Sequence, residues 1–243
     1  MSPALELADI HCHLMPYVDD GAYDEEESLE LLKQETSQGV RSICLTPHLR
    51  AEMFESSDET VAEHFALVQR LVEEAALPLR LYYSREYHFD RIFRSRLESG
   101  NLRPLGEGRH LLVEFGGRHS EADMLEAVAL VQEAGWKPLI AHVERYAPLQ
   151  DPTFAGELRS SGALLQVNAG SILGREGLRQ KQLVKKLLQK ELVDVIASDA
   201  HDVRIRTPEL ELCARQIEKK FGRGLAQRLL CDTPNAILTG TKE

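Results

Sequence analysis

Short apolar runs, often rich in β-branched residues, alternate along the chain with longer segments whose apolar side chains recur every three or four positions. The short runs predict strands over 5–13, 40–46, 79–83, 110–115, 138–142, 163–167 and 193–197. Between them, helical periodicity and end signals predict helices. Asp24 with Glu27 three residues on opens one that Gly39 closes, and Val61, Phe65, Val68 and Val72 form the stripe of another over 57–76. Further helices are expected over 92–97, 121–134, 153–160 and 181–190, with two or three more from about 208 onward. Strict strand–helix alternation indicates a parallel sheet, and at 243 residues a closed or nearly closed barrel is more economical than an open sheet. The expectation is therefore an α/β protein, a distorted (β/α)7 barrel in a single domain over 1–243.

Charge narrows the partners. With 29 Lys+Arg against 39 Asp+Glu the net charge is −10, which repels polyphosphate backbones and disfavours nucleic acid. No apolar run approaches the roughly 18 residues of a membrane span, and the first ten residues lack the pattern of a secretory signal; no membrane insertion and a cytoplasmic location are expected. Cys12, Cys44, Cys213 and Cys231 are scattered, without a C-x-x-C pair, and read as buried thiols. Cys12 has no Gly-rich phosphate loop after it, so a cysteine-type phosphatase site is not expected.

The ends of the predicted strands carry the chemistry. In order they present His11 and His13, His48, Glu86, Glu114, His142, Asn168, then Asp199 and His201. In a parallel barrel all these positions lie on one face, where such folds place their active sites. Singly, His48 reads as a turn residue and Glu86 as a surface charge; jointly, eight ligand-type residues at one end of the barrel point to metal. Nitrogen and oxygen donors without thiolate suit zinc, manganese, iron or nickel, and the donors are too many for one ion. A cluster of two or three divalent ions that activates water for hydrolysis is the inference.

The motifs D-I-H-C-H (9–13), D-D-G-A (19–22), T-P-H (46–48), H-V-E-R-Y (142–146) and A-S-D-A-H (197–201) occur in this order. On them the chain resembles the polymerase and histidinol phosphatase (PHP) superfamily, and within it the metal-dependent protein-tyrosine phosphatases encoded with bacterial capsule and exopolysaccharide genes. The resemblance implies a trinuclear, commonly manganese-dependent site. One ion would be held by His11, His13, Glu86 and Asp199, a second by Glu86, Glu114 and His142, and a third by Asp20, His48 and His201. It also implies that Arg145 and Arg206 hold the phosphate, a task suited to planar guanidinium forks. The expected reaction is phosphomonoester hydrolysis, with Asp199 or His201 as candidate proton shuttle and a phosphotyrosine tail of a polysaccharide-assembly tyrosine kinase as the substrate the resemblance implies. A small-molecule phosphatase of the histidinol-phosphate type would share the site; a nuclease or a non-catalytic metal-binding module fits less well. The oligomeric state is not legible. Two departures from the family pattern stand beside the site: Arg85 precedes Glu86, and Leu49-Arg50 follow T-P-H, so Arg50 or Arg85 is expected to add to phosphate attraction.

Overall fold

The computed structural model describes residues 5–241, so the expected 1–243 domain extends past it at both ends, and the start of the segment read for a signal lies outside it. Within it, strands β1 (Leu7–Cys12), β2 (Val40–Leu45) and β4 (Arg80–Tyr83) pair in the order β1-β2-β4. A second sheet runs β3 (His48–Leu49), β5 (Glu86–His88), β6 (His110–Glu114), β7 (Lys137–Ile140), β8 (Leu164–Asn168), β9 (Val195–Ala197). Every pairing is parallel, as the alternation required.

Two of the expected strand positions are broken. The run over 40–46 stops at Leu45, and Pro47, which has no N–H for a ladder, separates β2 from β3. Ser84 and Arg85 likewise separate β4 from β5. The sheets remain connected there: the Ser84 N–H donates to the Leu45 carbonyl (2.9 Å) and the Glu86 N–H to that of Pro47 (3.1 Å). At the other seam the ends of β1 and β9 meet, with Asp199 N–H on the His11 carbonyl and His13 N–H on the Ala200 carbonyl, both at 2.8 Å. The Asp9 carboxylate replaces a ladder acceptor, taking the Ser198 N–H (3.1 Å). Parallel sheets curled in this way gather the strand ends onto one face.

Helices cover the sheets, and side chains fix several of their starts. Asp24 accepts from Glu27 N–H ahead of α1 (Glu25–Ser37), Ser57 from Thr60 ahead of α2 (Asp58–Glu74), and Asp90 from Ile92 and Phe93 ahead of α3 (Arg91–Ser99). A capping box between Ser120 and Asp123 opens α4 (Glu121–Glu133). After α5 (Pro152–Ser160) comes a short helix the periodicity did not predict, α6 (Ala169–Leu173), running straight off β8; α7 (Leu178–Gln189) follows. The tail forms α8 (Leu210–Phe221), α9 (Arg223–Gln227), a π-helical turn (Arg228–Asp232) and α10 (Thr233–Thr239).

Two apolar clusters result. The larger lies between sheets and helices; the smaller joins Ala8, Ile10, Cys44, Leu112, Leu139, Ala141 and Val195 to Ile237 and Leu238 of α10, so the C-terminal helix packs against inward-facing strand residues. All four cysteines are buried and free. Burial, reinforced by the Asp9 and Glu35 carboxylates, pushes the Cys12 thiol well above its ordinary pKa, the opposite of what a nucleophile needs. No helix among the described residues is long and apolar enough to cross a membrane.

Candidate metal centre

The strand ends converge as the alternation implied. His11 Nε2 and His13 Nε2 lie 3.3 Å apart; Glu86 Oε2 is 3.3 Å from each, and Asp199 Oδ1 is 3.4 Å from the first and 3.6 Å from the second. Four donors around one ion at about 2.0–2.2 Å stand roughly 3.3–3.6 Å apart in a tetrahedron. The five distances that involve the two imidazoles match that spacing, while Glu86 and Asp199 fall in separate donor groups. His142 Nε2 lies 2.7 Å from Glu86 Oε1. His48 uses both ring nitrogens: Nδ1 is 2.9 Å from Glu86 Oε2 and 3.5 Å from Glu114 Oε1, while Nε2 is 3.5 Å from Asp20 Oδ1. His201 Nε2 completes that corner, 3.7 Å from Asp20. Donor atoms within 4.8 Å of one another therefore fall into four overlapping groups: His13-Asp20-His48-His201, His11-His13-Asp199, His11-Glu86-His142 and His48-Glu86-Glu114.

Orphaned atoms support the same reading. Glu86 Oε2, His48 Nδ1 and His201 Nε2 are buried without a hydrogen-bond partner, although the first two are only 2.9 Å apart. Buried donor atoms left without a hydrogen-bond partner suit cations at these positions. The electrostatics agree. Burial should depress the histidine pKa values, yet Glu86 and Asp199 hold His11 up at about 9, and Glu86 and Glu114 hold His48 at about 11. His201, where burial and the neighbouring His13 prevail, falls to about 2. The carboxylates demand positive charge, and divalent ions would meet that demand better than imidazolium.

All nine sequence-predicted ligands are on this face, with one difference in grouping. Glu114 and His142 were expected on one ion with Glu86; instead they flank opposite oxygens of that carboxylate, His142 at Oε1 and Glu114 beside His48 near Oε2. Glu86, fully buried and held well below the carboxylate range by His11 and His48 against the effect of burial, belongs to two of the four groups and lies within 3.3 Å of members of the other two.

An outer shell escaped the sequence. Gln166 Oε1 lies 3.1 Å from His11 Nδ1 and accepts from the His142 N–H; Asp19 Oδ2 lies 2.7 Å from His13 Nδ1 and accepts from the His48 N–H; Tyr146 Oη lies 3.0 Å from His142 Nδ1. His88 Nδ1, 3.1 Å from Glu114 Oε1, plays the same part. Asp19 carried a signal, since it is half of D-D-G-A, but nothing in the sequence tells which of two adjacent acids turns inward. Gln166 lay within a predicted strand and Tyr146 within H-V-E-R-Y; neither is a ligand type that strand ends would single out.

Arg145 and Arg206 reach the site from its rim. The Nη2 of each donates to Asp199 Oδ2, at 2.9 and 2.8 Å, and both line a cleft of about 210 Å³ with Asn168, Glu176, Ile205 and Arg175. Asp199 thus gives one oxygen to the histidines and the other to the arginines. Arg85 does not join them. Its guanidinium is buried and donates to the carbonyls of Ser56 and Ser57 and to Asp58, tying β5 to the start of α2, because alternation about Glu86 turns it to the opposite face. Arg50 forms a backbone bridge with Phe54, and nothing in the structure directs its side chain to the cluster.

Similarity to known proteins runs along nearly the whole chain. A family profile described as capsular polysaccharide synthesis, CpsB/CapC, matches residues 7–239. The chain belongs to that family. The tyrosine-protein phosphatase CpsB of Streptococcus pneumoniae is 32% identical over 238 residues, covering 96% of this chain and 98% of CpsB. The tyrosine-protein phosphatase YwqE of Bacillus subtilis is 31% identical, covering 96% and 91%. A solved structure described under YwqE of B. subtilis and CpsB of S. pneumoniae, as metal-dependent tyrosine phosphatases, superposes with a TM-score of 0.90 at 28% identity, over 97% of this chain and 96% of the other. The histidinol phosphate phosphatase of Lactococcus lactis shares the fold alone, at 17% identity and a TM-score of 0.58.

Proposed function

We propose that this CpsB/CapC-family chain is a metal-dependent protein-tyrosine phosphatase. The carrying observation is one carboxylate, Asp199, with Oδ1 beside the Nε2 atoms of His11 and His13 and Oδ2 under two guanidiniums. That arrangement suits phosphomonoester cleavage, because a phosphoryl group presents several anionic oxygens to cations on either side of it. We read the nine strands as seven positions of a distorted (β/α)7 barrel, with β2/β3 and β4/β5 each one interrupted strand, in a single domain.

Asp199 would join His11 and His13 around one ion, Glu86 would be shared between His11 with His142 on one side and His48 with Glu114 on the other, and Asp20, His48 and His201 with His13 would hold a further ion. Divalent ions, manganese foremost, would supply Lewis acidity toward phosphoryl oxygens and an activated water at neutral pH. The chain's own residues then do the positioning. Arg145 and Arg206 keep N–H donors facing the cleft and hold the equatorial phosphoryl oxygens as charge grows there. Asp199 accepts from Arg145, Arg206 and the Asn168 amide at Oδ2, and those cations with His11 hold its pKa well below the usual carboxylate range against burial. With both oxygens engaged it anchors charge and does not carry a proton. His201, the other candidate shuttle, is likewise engaged at both nitrogens, Nε2 beside Asp20 in the donor group and Nδ1 on the Asp199 carbonyl, and a tyrosine phenolate leaves with little help.

The substrate we favour is a phosphotyrosine-bearing segment of a polysaccharide-assembly tyrosine kinase, met in the cytoplasm. Full family coverage by tyrosine phosphatases supports this over the histidinol-phosphate alternative, for which only the fold speaks. The test is a panel of phosphotyrosyl peptide and histidinol phosphate, assayed before EDTA, after it, and after manganese is restored. The proposal expects phosphotyrosine turnover that EDTA abolishes and manganese restores. Turnover that survives EDTA would refute the metal, and faster histidinol phosphate cleavage would refute the substrate.

A further inference from the structure

The loop between α6 and α7 reaches back over the end of β8. Gly174 and Gly177 bracket it, both at positive φ (+90° and +107°), a backbone path that side chains with a Cβ resist. Its outer side is pinned by the Arg175 guanidinium on the Glu209 carboxylate, with contacts of 2.6 to 3.1 Å. Its inner side delivers Glu176 into the cleft beside Arg145. Glu176 Oε2 accepts from Arg145 Nε at 3.0 Å, and Glu176 Oε1 accepts from Asn168 Nδ2 at 3.1 Å. The same Asn168 amide donates its other hydrogen to Asp199 Oδ2 at 2.8 Å, and its carbonyl accepts from Gln166 Nε2 at 2.8 Å. Gln166 in turn meets His11 Nδ1. One continuous network therefore runs from a histidine of the metal cluster to the carboxylate that grips Arg145.

The geometry explains what that grip does. Arg145 and Arg206 share a single oxygen, Asp199 Oδ2, and two like charges converging on one acceptor repel each other. Glu176 gives Arg145 a second anchor at Nε, on the edge of the guanidinium away from Nη1. With Nε on Glu176 and one Nη2 hydrogen on Asp199, the fork's plane is fixed and its remaining N–H groups are available to the cleft. We infer that Glu176 is a positioning residue for the phosphate clamp: it sets the orientation of Arg145 and so the affinity of the site for a phosphoryl dianion. Without it Arg145 would be held by Asp199 alone and would settle onto the metal-site carboxylate instead of the incoming phosphate. Glu176 lies in none of the donor groups, and its negative charge is met by the Arg145 guanidinium while Asn168 donates a hydrogen bond to its other oxygen.

This inference rests on the phosphatase reading, and the experiment separates the two. The metal-loaded protein is titrated calorimetrically with inorganic phosphate, with no turnover involved, in wild type, Glu176→Ala and Glu176→Gln; metal content is measured on each, and kcat and KM for a phosphotyrosyl peptide are measured in parallel. Glu176→Ala should weaken phosphate binding roughly 10- to 100-fold, the scale of one hydrogen bond to a charged group. It should raise KM more than it lowers kcat and leave metal content at the wild-type level. Glu176→Gln, whose amide oxygen still accepts from Arg145 Nε, should recover part of the loss. Unchanged phosphate affinity in Glu176→Ala overturns the inference, as does loss of metal in proportion to phosphate affinity, which would make Glu176 a structural support of the cluster. Phosphate binding that follows these expectations in a wild-type protein unable to cleave the peptide would keep the inference and discard the activity.

Discussion

His48 turns both ring nitrogens inward, and each of the other four histidines of the cluster offers one nitrogen inward and is steered from the other. His13 has Asp19, His11 has Gln166, His142 has Tyr146, and His201 has the backbone carbonyl of its neighbour Asp199. Such partners fix the tautomer and raise ligand basicity. Asp19 is the strongest of them, a buried carboxylate held below the usual range by His13 and by the donated His48 N–H despite its burial. Asp19→Asn should therefore lower manganese affinity roughly 10- to 100-fold in chelator competition while the metal-free protein melts within a few degrees of wild type. Equal affinity in both proteins would mean that His13 needs no steering. The ligands themselves were legible because histidine and carboxylate at successive strand ends are visible in the chain. Their supports were not, because Gln166, Tyr146 and the choice of Asp19 over Asp20 depend on which way a loop or strand turns. A second residue-scale feature is the buried Glu35, whose oxygens lack hydrogen-bond partners. Burial first, and then the adjacent Asp9 carboxyl, raise its pKa well above the ordinary value. A raised acid favours the folded state most fully below its unfolded pKa and loses that contribution as pH climbs through the folded value. Glu35→Gln, which needs no proton, should gain melting temperature relative to wild type as pH rises from about 5 to about 8. A difference between the two that stays constant across that range would remove Glu35 as a source of pH dependence.

At the scale of elements, strands were readable and their interruptions were not. Composition places Val40 to Leu45 in the sheet, but only the absent N–H of Pro47 and the turn of the chain divide β2 from β3, bringing His48 under Glu86 in register. The five-residue α6 and the loop after it, which begins at the C-cap Gly174, are too short for helical periodicity to encode, so Glu176 stayed hidden. Two ligand positions, His142 (φ +29°) and Asp199 (φ +54°), sit in a backbone region that side chains resist, strain that a functional site retains because its surroundings enforce it. The D-D-G-A turn shows the opposite economy. Its Ala22 N–H donates to the His13 carbonyl at 2.9 Å, and a Cβ on Gly21 would collide with that same carbonyl oxygen. Gly21→Ala must push the turn off β1, so it should cost about 1–3 kcal/mol in denaturant unfolding and loosen metal held by His13 and Asp20. Wild-type stability together with wild-type metal content would contradict so close an approach.

Across the whole molecule, the first and last strands carry the account. Alternation of strands and helices implied that β1 and β9 would meet, and the paired backbone bonds between His11 and Asp199 and between His13 and Ala200 join them at the metal face. What the sequence could not supply is the assignment of atoms: one Glu86 carboxylate serves His142 at Oε1 and His11, His13 and His48 at Oε2, so the cluster is organised around a residue that by itself reads as a surface charge. The most direct test of the account is therefore the rate of phosphotyrosyl peptide hydrolysis by Glu86→Ala, purified without chelator and assayed with added manganese beside wild type. The account predicts a folded protein with reduced metal content and a rate lower by about 1,000-fold or more, since both the ions and the water they activate depend on that carboxylate. Hydrolysis by Glu86→Ala at the wild-type rate would contradict it.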